Sequence, residues 1–311
     1  MRVATIDIGT NSVLLLVAER RGDALVPVVE RATITRLGRG VDRTRALDAE
    51  AVETTLACLA EYAAEIRRAG ATRVDAVGTS AMRDAQGGER FRARAAEILG
   101  REPRVISGDE EAELTFAGAL AGIAIDGPVI VFDLGGGSTE IIRGRAGDHG
   151  DTMERAVSLD IGSVRLTERH IHSDPPHADE LAAVRRDARG ALGGLGASWL
   201  GDAIGGAARV VGVAGTVTTL AAHALGVAPY DAARVHGARL DAATVAQVTA
   251  DLARLTLAQR RGLPAIDPKR ADVIVAGAAI VAELLAWAGA SELCVSDRGV
   301  RWGLAKRLAA G

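Results

Sequence analysis

The chain has 311 residues, more than one hydrophobic core usually serves, and its 48% hydrophobic and 25% charged residues are typical of globular proteins. The net charge is −3 and aromatic residues make up only 3%. These values argue against nucleic-acid or membrane partners, which select basic surfaces or stacking rings. We therefore expect a globular protein of two domains.

Cysteine usage and the apolar segments indicate a soluble, cytoplasmic protein. Cys58 and Cys294 lie in apolar patterns without partner spacing, as reduced and buried cysteines do. The N-terminal apolar segment is interrupted by Asp7, unlike a signal peptide. The long apolar segment 273–290 contains Glu283 and is rich in Ala and Gly, so we expect a buried core helix there and not a membrane span.

In the first half of the chain, short apolar runs alternate with helical spacing. The apolar runs predict strands over residues 3–8, 13–19, 26–37, 73–80 and 104–108. The helical spacing predicts helices over residues 48–68, 81–85, 89–99 and 110–120. Asp48 and Asp109 are the expected N-caps of the first and the last of these helices.

The second half begins with a similar alternation and then becomes mostly helical. We place the domain boundary at 125–128, where Gly and Pro favour a turn, and assign residues 1–125 and 126–311 to the two domains. Whether the last helix packs on the first domain stays open. Strands are predicted over residues 129–133, 138–144 and 154–160, and strand–loop–helix units over 209–225 and 292–308. Strands that alternate with helices indicate an α/β fold.

Two similar segments, DIGTNS at 7–12 and DLGGGS at 133–138, open the two halves of the chain. Three consecutive glycines in the second segment allow backbone N–H groups to converge on an anion, and Ser138 and Thr139 add hydroxyl donors. No Gly-Lys-Ser/Thr follows and the next segment is a strand, so this is neither a Walker loop nor a dinucleotide-binding motif. We expect a phosphate-binding turn.

Acidic residues flank this turn, although a carboxylate next to a phosphate is repulsive. A divalent cation between the two reverses the sign of the interaction. Mg²⁺ suits such a site because it binds through one or two carboxylates, retained waters and substrate oxygens. We therefore interpret Asp133 and Glu140 as metal-site residues and expect Asp7 to act in the same way from the other domain.

Segments along nearly the whole chain resemble the exopolyphosphatase and guanosine pentaphosphate phosphatase (Ppx/GppA) family. The two Asp-Gly turns are also similar to the phosphate motifs of the wider sugar kinase, heat-shock chaperone and actin superfamily. The matching segments are IDIGTNSVLLLVAE, RLGRGVD, GTSAMRDA, ISGDEEAELTFAGA, VFDLGGGSTEII, SLDIGSVRLTE, GVAGTVTTLAA, DPKRADVIVAGA and VSDRGVRWG.

The resemblance implies an α/β chain of two actin-like (ribonuclease H-like) domains with the site in an interdomain cleft. It implies Mg²⁺-dependent removal of the terminal phosphate from inorganic polyphosphate or from guanosine pentaphosphate (pppGpp), and a homodimer as a possible assembly. The sequence departs from the family at Arg39, where an acidic residue is frequent, and at Gly87, where Asn is frequent. Longer relatives carry further C-terminal domains, so we expect short polyphosphate chains as substrates.

The resemblance also implies roles for individual acidic residues. Glu111 corresponds to the family's catalytic glutamate, so we assign it to orient and deprotonate the nucleophilic water. Glu110 is expected only to complement the helix dipole. Asp133 and Glu140 correspond to essential acidic residues of the second turn. We assign Asp133 to the metal, and Glu140 to the metal or to the positioning of water.

Further residues are expected to contact phosphate groups. In the C-terminal domain they are Gly135, Gly136, Gly137, Ser138, Thr139, Gly215 and Thr216. In the N-terminal domain they are Asn11, Ser12 and Arg83, beside Thr10; Arg83 could instead pair with Asp84. Downstream phosphates could be held by Arg165, Arg169, Arg298 and Arg301, each of which could equally form a structural ion pair.

Other functions stay open at this point. Hydrolysis of pppGpp uses the same phosphoanhydride chemistry, but the low aromatic content disfavours a purine pocket, so polyphosphate is preferred. A small-molecule kinase would need a glycine-rich adenosine loop, which GVAGTVTT matches poorly. A non-catalytic actin-like regulator would keep the turns without needing Glu111. His170, His172 and His177 lack zinc-site spacing and are expected in a solvated turn.

Overall fold

A computed structural model describes residues 1–22, 24–147, 151–200 and 209–310, apart from the side chains of residues 84, 197 and 198. The contacts between Cα atoms divide the chain into two units. Unit 1 comprises Met1–Gly118 and Gly299–Gly311, and unit 2 comprises Ala119–Arg298. The predicted boundary between residues 125 and 126 lies C-terminal to the division between Gly118 and Ala119. The last helix belongs to unit 1.

The sheet of unit 1 has five strands in the order β3-β2-β1-β4-β5. They are β1 (Arg2–Ile8), β2 (Ser12–Arg21), β3 (Ala24–Ile34), β4 (Arg73–Gly78) and β5 (Arg104–Val105). The first three pair antiparallel, whereas β4 runs parallel to β1 and to β5. All five predicted strands are present. The third ends at Ile34 and not at 37, because the backbone that follows it bonds to a loop of the same unit.

The described residues of unit 1 form six helices, of which α5 ends at the boundary with unit 2. They are α1 (Val41–Thr44), α2 (Ala49–Arg68), α3 (Ser80–Asp84), α4 (Gly88–Leu99), α5 (Gly108–Ala119) and α14 (Val300–Ala310). The predicted cap of α2 is confirmed, since the Asp48 side chain accepts a hydrogen bond from the Ala51 N–H. The predicted cap of α5 is wrong. Asp109 lies within its first turn, and the Ser107 hydroxyl accepts from the Glu110 N–H (3.1 Å).

The core of unit 1 lies on both faces of the sheet. Because side chains alternate along a strand, Ile6 and Ile8 of β1 pack against α2 through residues such as Leu59. On the opposite face, Val3 packs against Trp302 of α14. The sheet is therefore covered by helices on both sides, as the nearly continuous apolar runs of its central strands require.

The sheet of unit 2 has the order β10-β11-β9-β6-β7-β8. Its strands are β6 (Gly127–Leu134), β7 (Thr139–Ala146), β8 (Thr152–Leu159), β9 (Arg209–Val213), β10 (Arg239–Asp241) and β11 (Glu292–Val295). Strands β6, β7 and β8 pair antiparallel, and β9 runs parallel to β6 and to β11. Only β10 was not predicted, since three residues carry no recognisable period.

The described residues of unit 2 contain eight helices. They are α6 (Ser163–His170), α7 (Ala178–Gly193), α8 (Ala197–Leu200), α9 (Ala214–Ala224), α10 (Ala232–Val235), α11 (Ala242–Arg254), α12 (Leu257–Arg261) and α13 (Ile274–Ala288). Helix α13 is the predicted buried core helix. Its Glu283 pairs with Arg185 (3.2 Å) and Arg189 (3.0 Å) of α7. Over the described residues, no helix combines the length and apolarity that a membrane crossing needs.

The two units repeat one topology. In each, a three-stranded antiparallel meander is followed by two strands parallel to its first strand. Even the irregularities correspond, because the pairing of the second and third strands is interrupted in both meanders, at Val17/Ala18 and at Arg143/Gly144. The predicted fold class, an α/β chain of two actin-like (ribonuclease H-like) domains, is confirmed at the level of the two sheets.

Candidate active site

The glycine turn of unit 2 connects β6 to β7 and is closed by a hydrogen bond from Gly135 N to Ser138 O (3.0 Å). Its carbonyl groups accept hydrogen bonds from the start of α6: Ser163 N to Gly135 O (3.0 Å), Val164 N and Arg165 N to Gly136 O (2.9 and 3.0 Å), and Arg165 Nε to Gly137 O (2.6 Å). In a trans peptide the N–H points away from the C=O. The N–H groups of Gly136, Gly137 and Ser138 are therefore turned to the opposite side, where they can meet an anion.

The position before α6 must be glycine for this arrangement. A Cβ atom at Gly162 would lie 2.3 Å from the Gly136 oxygen and 2.7 Å from the Gly137 carbonyl carbon. Both are backbone atoms, which cannot rotate away as a side chain could. The close approach of Gly162 brings the first N–H groups of α6 to the carbonyl side of the turn.

The two candidate acidic residues of unit 2 lie in one row of paired residues, and a serine on a third strand continues that row. Asp133 of β6 is paired with Glu140 of β7, and Glu140 is paired with Ser158 of β8. Side chains of directly paired residues project from the same face of a sheet. Glu140 is only 1% exposed, and the Ser158 hydroxyl donates a 2.7 Å hydrogen bond to its Oε1 atom. Asp133 and Glu140 are thus neighbours, as their assignment to one metal site requires.

The two carboxylates fit a divalent cation whose shell water and substrate oxygens would complete. Within the described ranges, no group of three or more His, Cys, Asp or Glu side chains could hold a metal ion. Mg²⁺ in phosphate sites commonly takes one or two carboxylates and completes its shell with water and substrate oxygens. Asp133 and Glu140, beside amides that suit a phosphate, provide that donor set.

The two hydroxyl groups predicted at this turn differ in their availability. The Thr139 hydroxyl donates to the Ile161 carbonyl (2.6 Å), so its proton is bonded to the segment between β8 and α6 and is not available to a phosphate. The Ser138 side chain is 3% exposed. The predicted contact of Thr139 with phosphate through its hydroxyl is therefore corrected, and Ser138 stays the candidate donor.

A second phosphate-binding element lies next to the turn. Strand β9 runs parallel to β6 with Val213 beside Asp133, so α9 begins at the same edge of the sheet. Ala214, its first residue, has a φ of 79°, a left-handed conformation that is rare for a residue with a side chain. Gly215 and Thr216 follow at the helix start, where N–H groups face outward.

Contacts with α13 and with the segment before it fix the start of α9. A Cβ atom at Gly277 would lie 2.8 Å from the Thr216 Oγ1 atom and 3.3 Å from Cβ of Ser163, so the starts of α9 and α6 approach each other there. The Arg270 guanidinium lies against Gly215, donating to its carbonyl and to the Thr219 hydroxyl (3.0 Å). Unit 2 thus brings its predicted phosphate-binding residues to one edge of the sheet.

The corresponding turn of unit 1 has the same backbone geometry. Gly9 N donates to Ser12 O (3.0 Å), as Gly135 N does to Ser138 O. The turn carbonyls again accept bonds from the segment after the third strand: Thr35 N and Arg36 N to Asn11 O (3.1 and 3.0 Å), and Gly38 N to Thr10 O (2.8 Å). The N–H groups of Asn11 and Ser12 are therefore turned to the other side.

The remaining candidates of unit 1 lie at the ends of its parallel strands. Asp7 of β1 is the neighbour of Val77 of β4, and the Thr10 hydroxyl of the turn is hydrogen-bonded to Ser80 (2.7 Å) at the start of α3. Helix α3 carries Arg83. The elements that follow β1 and β4 are therefore joined at this edge of the sheet.

Arg83 connects this edge to the predicted catalytic glutamate. Its Nη1 atom donates to Glu111 Oε2 (3.3 Å) and to the Ile106 carbonyl (3.0 Å). Glu111 is 6% exposed and lies in the first turns of α5. The alternative pair of Arg83 with Asp84 lies outside the description, since the Asp84 side chain is not described. Arg83 is placed to orient the Glu111 carboxylate.

Glu110 faces away from these residues. Its carboxylate accepts from Arg104 (3.1 Å) and Arg307 (2.6 Å). Partial burial raises the pKa of Glu110, but Arg307 and Arg104 outweigh this effect and hold the pKa below its ordinary value of 4.5. Glu110 therefore joins α5 to α14 in addition to its favourable interaction with the helix dipole.

The four arginines considered for downstream phosphates all have protein partners. Besides Arg165, which holds Gly137 O, Arg169 pairs with Asp187 (3.1 Å), Arg298 donates to the Ala121 carbonyl (3.0 Å) and Arg301 pairs with Glu30 (2.9 Å). His170 also contacts Asp187 (2.8 Å). These contacts favour the structural alternative for each arginine.

Three residues of these sites were not predicted as functional: Ser80, Ser158 and Arg270. Each belongs to a motif segment or lies next to one, but its role depends on a contact with a residue distant in the sequence. Strand alternation could have placed Ser158 on the face of Glu140 only if the register of β7 and β8 had been known.

Comparison with known proteins finds similarity along nearly the whole chain. The sequence profile of the Ppx/GppA phosphatase family matches residues 16–310. A Mycobacterium tuberculosis protein named Exopolyphosphatase 2 is 40% identical, over 99% of this chain and 98% of its own length. A Vibrio atlanticus protein named guanosine-5'-triphosphate,3'-diphosphate pyrophosphatase is 34% identical, over 54% of this chain and 33% of its own length. A crystal structure of an exopolyphosphatase-like protein has a TM-score of 0.91 at 35% identity, covering 98% of this chain and 97% of that chain.

Proposed function

We propose that the chain, which belongs to the Ppx/GppA phosphatase family, is an exopolyphosphatase. It is a phosphoanhydride hydrolase that removes the terminal phosphate of inorganic polyphosphate and releases orthophosphate. The similarity to Exopolyphosphatase 2 over 98% of that protein's length supports polyphosphate as the substrate. The similarity to the pppGpp pyrophosphatase relative covers only 54% of this chain, so pppGpp is the second candidate substrate.

The observation that carries this proposal is the pairing of Asp133 with Glu140 beside a turn whose carbonyls are bonded away from it. Amide N–H groups attract a phosphate, whereas two carboxylates repel it. The two requirements are compatible when a divalent cation lies between them. Neither a simple structural hairpin nor an anion site without metal explains both features.

We assign the metal, proposed to be Mg²⁺, to Asp133, with Glu140 as a second ligand or as the group that positions water. Asp7 is proposed as a further metal-site residue. A bound Mg²⁺ neutralises charge that develops on the phosphate oxygens. The N–H groups of Gly136, Gly137 and Ser138 bind the oxygens of the terminal phosphate.

The starts of the other elements complete phosphate binding. Gly215 and Thr216 contribute from the start of α9, and Asn11 and Ser12 contribute from the turn of unit 1. Glu111 accepts the proton of the attacking water, and Arg83 holds its carboxylate in place. The reaction then needs little covalent participation by the protein, since positioning and charge neutralisation supply most of the rate enhancement of phosphoryl transfer.

The proposal assigns the enzyme to the cytoplasm. Cys58 and Cys294 are both buried, and neither forms a disulfide. Buried thiols are typical of a reducing compartment.

The deciding experiment measures phosphate release from polyphosphate of several chain lengths and from pppGpp, with Mg²⁺ and with a chelator. We expect Mg²⁺-dependent release from polyphosphate, fastest with short chains. A higher kcat/KM with pppGpp would transfer the assignment to the second candidate. Absence of release from both substrates, with the purified protein folded, would refute the hydrolase.

A further inference from the structure

Glu140 receives a hydrogen bond from a residue that the proposed reaction does not yet use. The carboxylate is 1% exposed, and its Oε1 atom accepts from the Ser158 hydroxyl at 2.7 Å. Ser158 itself is exposed and lies on the edge strand β8. A carboxylate can rotate about its last side-chain torsion, and a fixed donor selects one orientation.

The repeated topology provides an internal control for this contact. In unit 1 the residue paired with Asp7 is Leu14, and the residue paired with Leu14 is Ala32. In unit 2 the corresponding row is Asp133, Glu140 and Ser158. Unit 1 builds the same meander and the same turn without a carboxylate or a hydroxyl at these positions. The fold therefore does not require Glu140 or Ser158.

We propose that Ser158 is a positioning residue, which holds the Glu140 carboxylate in the orientation that its role beside Asp133 needs. The inference rests on the proposed function for its kinetic consequences. Residues that orient metal-site ligands without touching the metal typically affect activity by about ten- to hundredfold. Ser158 acts only through Glu140, since it is the third member of the row and Asp133 the first.

The test compares the Ser158→Ala and Ser158→Thr variants with the wild-type enzyme. Ser158→Ala is expected to lower kcat by at least about tenfold, to leave KM for polyphosphate nearly unchanged and to raise the Mg²⁺ concentration for half-maximal activity. Ser158→Thr keeps the hydroxyl and suits a strand, so it is expected to restore most of the lost turnover. Ser291→Ala, which removes another exposed serine hydroxyl of unit 2, is the matched control and is expected to match the wild type.

A crystal structure of Ser158→Ala gives a readout that does not depend on turnover. We expect the Glu140 carboxylate to adopt a different orientation, with the melting temperature unchanged. An unchanged carboxylate, or wild-type kcat in Ser158→Ala, would overturn the inference. If the wild-type protein released no phosphate, the proposed function would fail, and the orientation of Glu140 in the variant would still decide the role of Ser158.

Discussion

In unit 1 the strand that follows the glycine turn places Leu14 opposite Asp7, whereas in unit 2 the corresponding strand places Glu140 opposite Asp133. The turns themselves are equivalent, each closed by a 3.0 Å bond between residues of the same spacing. Backbone geometry is therefore a property of the repeated fold. The side chains beside it have diverged, and the roles proposed for the two units differ accordingly.

The helices that follow the last parallel strands extend the comparison. Ile106 N donates to Gly78 O (3.1 Å) in unit 1, and Ser296 N donates to Gly212 O (2.8 Å) in unit 2, so these residues correspond. Glu111 lies five residues after Ile106, and Arg301 lies five residues after Ser296. The helix that follows β5 thus provides a buried carboxylate where the helix that follows β11 has a buried arginine, and the proposed base has no counterpart in the repeat.

The largest expected effect comes from removing this carboxylate. Glu111→Gln is expected to lower kcat for phosphate release by about 10³-fold, because general-base catalysis contributes on that order and the amide cannot accept the proton. The fold should be retained, since glutamine can still accept the Arg83 hydrogen bond. Stopped assays with short polyphosphate measure the loss.

Its neighbour provides the control for this variant. Glu110→Gln changes the same residue type in the same helical turn but lies among Arg104 and Arg307. We expect its kcat to stay within about twofold of the wild type, as for a surface substitution away from the chemistry. Equal losses in the two variants would show that α5 was disturbed as a whole and would contradict the assignment of Glu111.

The second prediction replaces Glu140 of unit 2 by leucine, the residue that unit 1 has at the equivalent position. Glu140→Leu is expected to lower kcat by about 10²-fold, since a displaced metal or water costs about that much. The melting temperature should be unchanged or higher. A leucine at the equivalent position is compatible with this meander, and the variant no longer buries a carboxylate at position 140. Wild-type turnover in Glu140→Leu, or collapse of the fold, would break the functional contrast between the two rows.

Substitution of a glycine tests how strictly each turn depends on its supporting segment. An added Cβ would lie 2.3 Å from a backbone oxygen at Gly162, but 2.2 Å from the Thr10 side chain at Gly38. A side chain can rotate and a backbone cannot, so Gly162→Ala should destabilise unit 2 by about 1–3 kcal/mol and Gly38→Ala should destabilise unit 1 by less.

Gly190, an exposed glycine inside α7 with no atom near its Cβ position, is the control for both variants. Gly190→Ala should stabilise by about 0.5–1 kcal/mol, the usual gain in a helix interior. Urea unfolding measures all three variants. Equal destabilisation by the Gly162 and Gly38 substitutions would show that the distinction between backbone and side-chain contacts has no energetic weight here.

The local patterns of the sequence were enough to predict all described strands except β10, the Asp48 cap and the two turns, since each depends on neighbouring residues. Competing local signals were not resolved. Ser107 and Asp109 can both cap a helix, and only the observed bond from Glu110 N identifies Ser107. The third strand was predicted too long because the β-branched Thr35 suits a strand, whereas its N–H donates to the Asn11 carbonyl.

The parts of the site that could not be predicted from the sequence are those that depend on sheet register and on contacts between distant residues. The pairing of Glu140 with Ser158 requires the alignment of two strands, which alternation alone cannot fix. The contact of Arg270 with Gly215 joins residues far apart in the sequence. Asp133 was found because its neighbouring glycines made a recognisable motif, whereas Ser158 and Arg270 lie in motif segments that do not show which residues they contact.

The smallest expected effect concerns Glu110. A comparison of the two repeats alone would wrongly assign its charge to catalysis. Glu110, like Glu111, has no acidic counterpart in the helix that follows β11, where Val300 occupies the equivalent position. Its ion pairs with Arg104 and Arg307 give it a structural role, so Glu110→Gln should lower the free energy of unfolding by about 1 kcal/mol at pH 7. Because the folded pKa of Glu110 lies below 4.5, this stabilisation is present above pH 4.5 and is lost as the pH falls through the folded value. Urea unfolding of variant and wild type should therefore converge in acid, and a difference that persisted there would show that Glu110 stabilises α5 by something other than its charge.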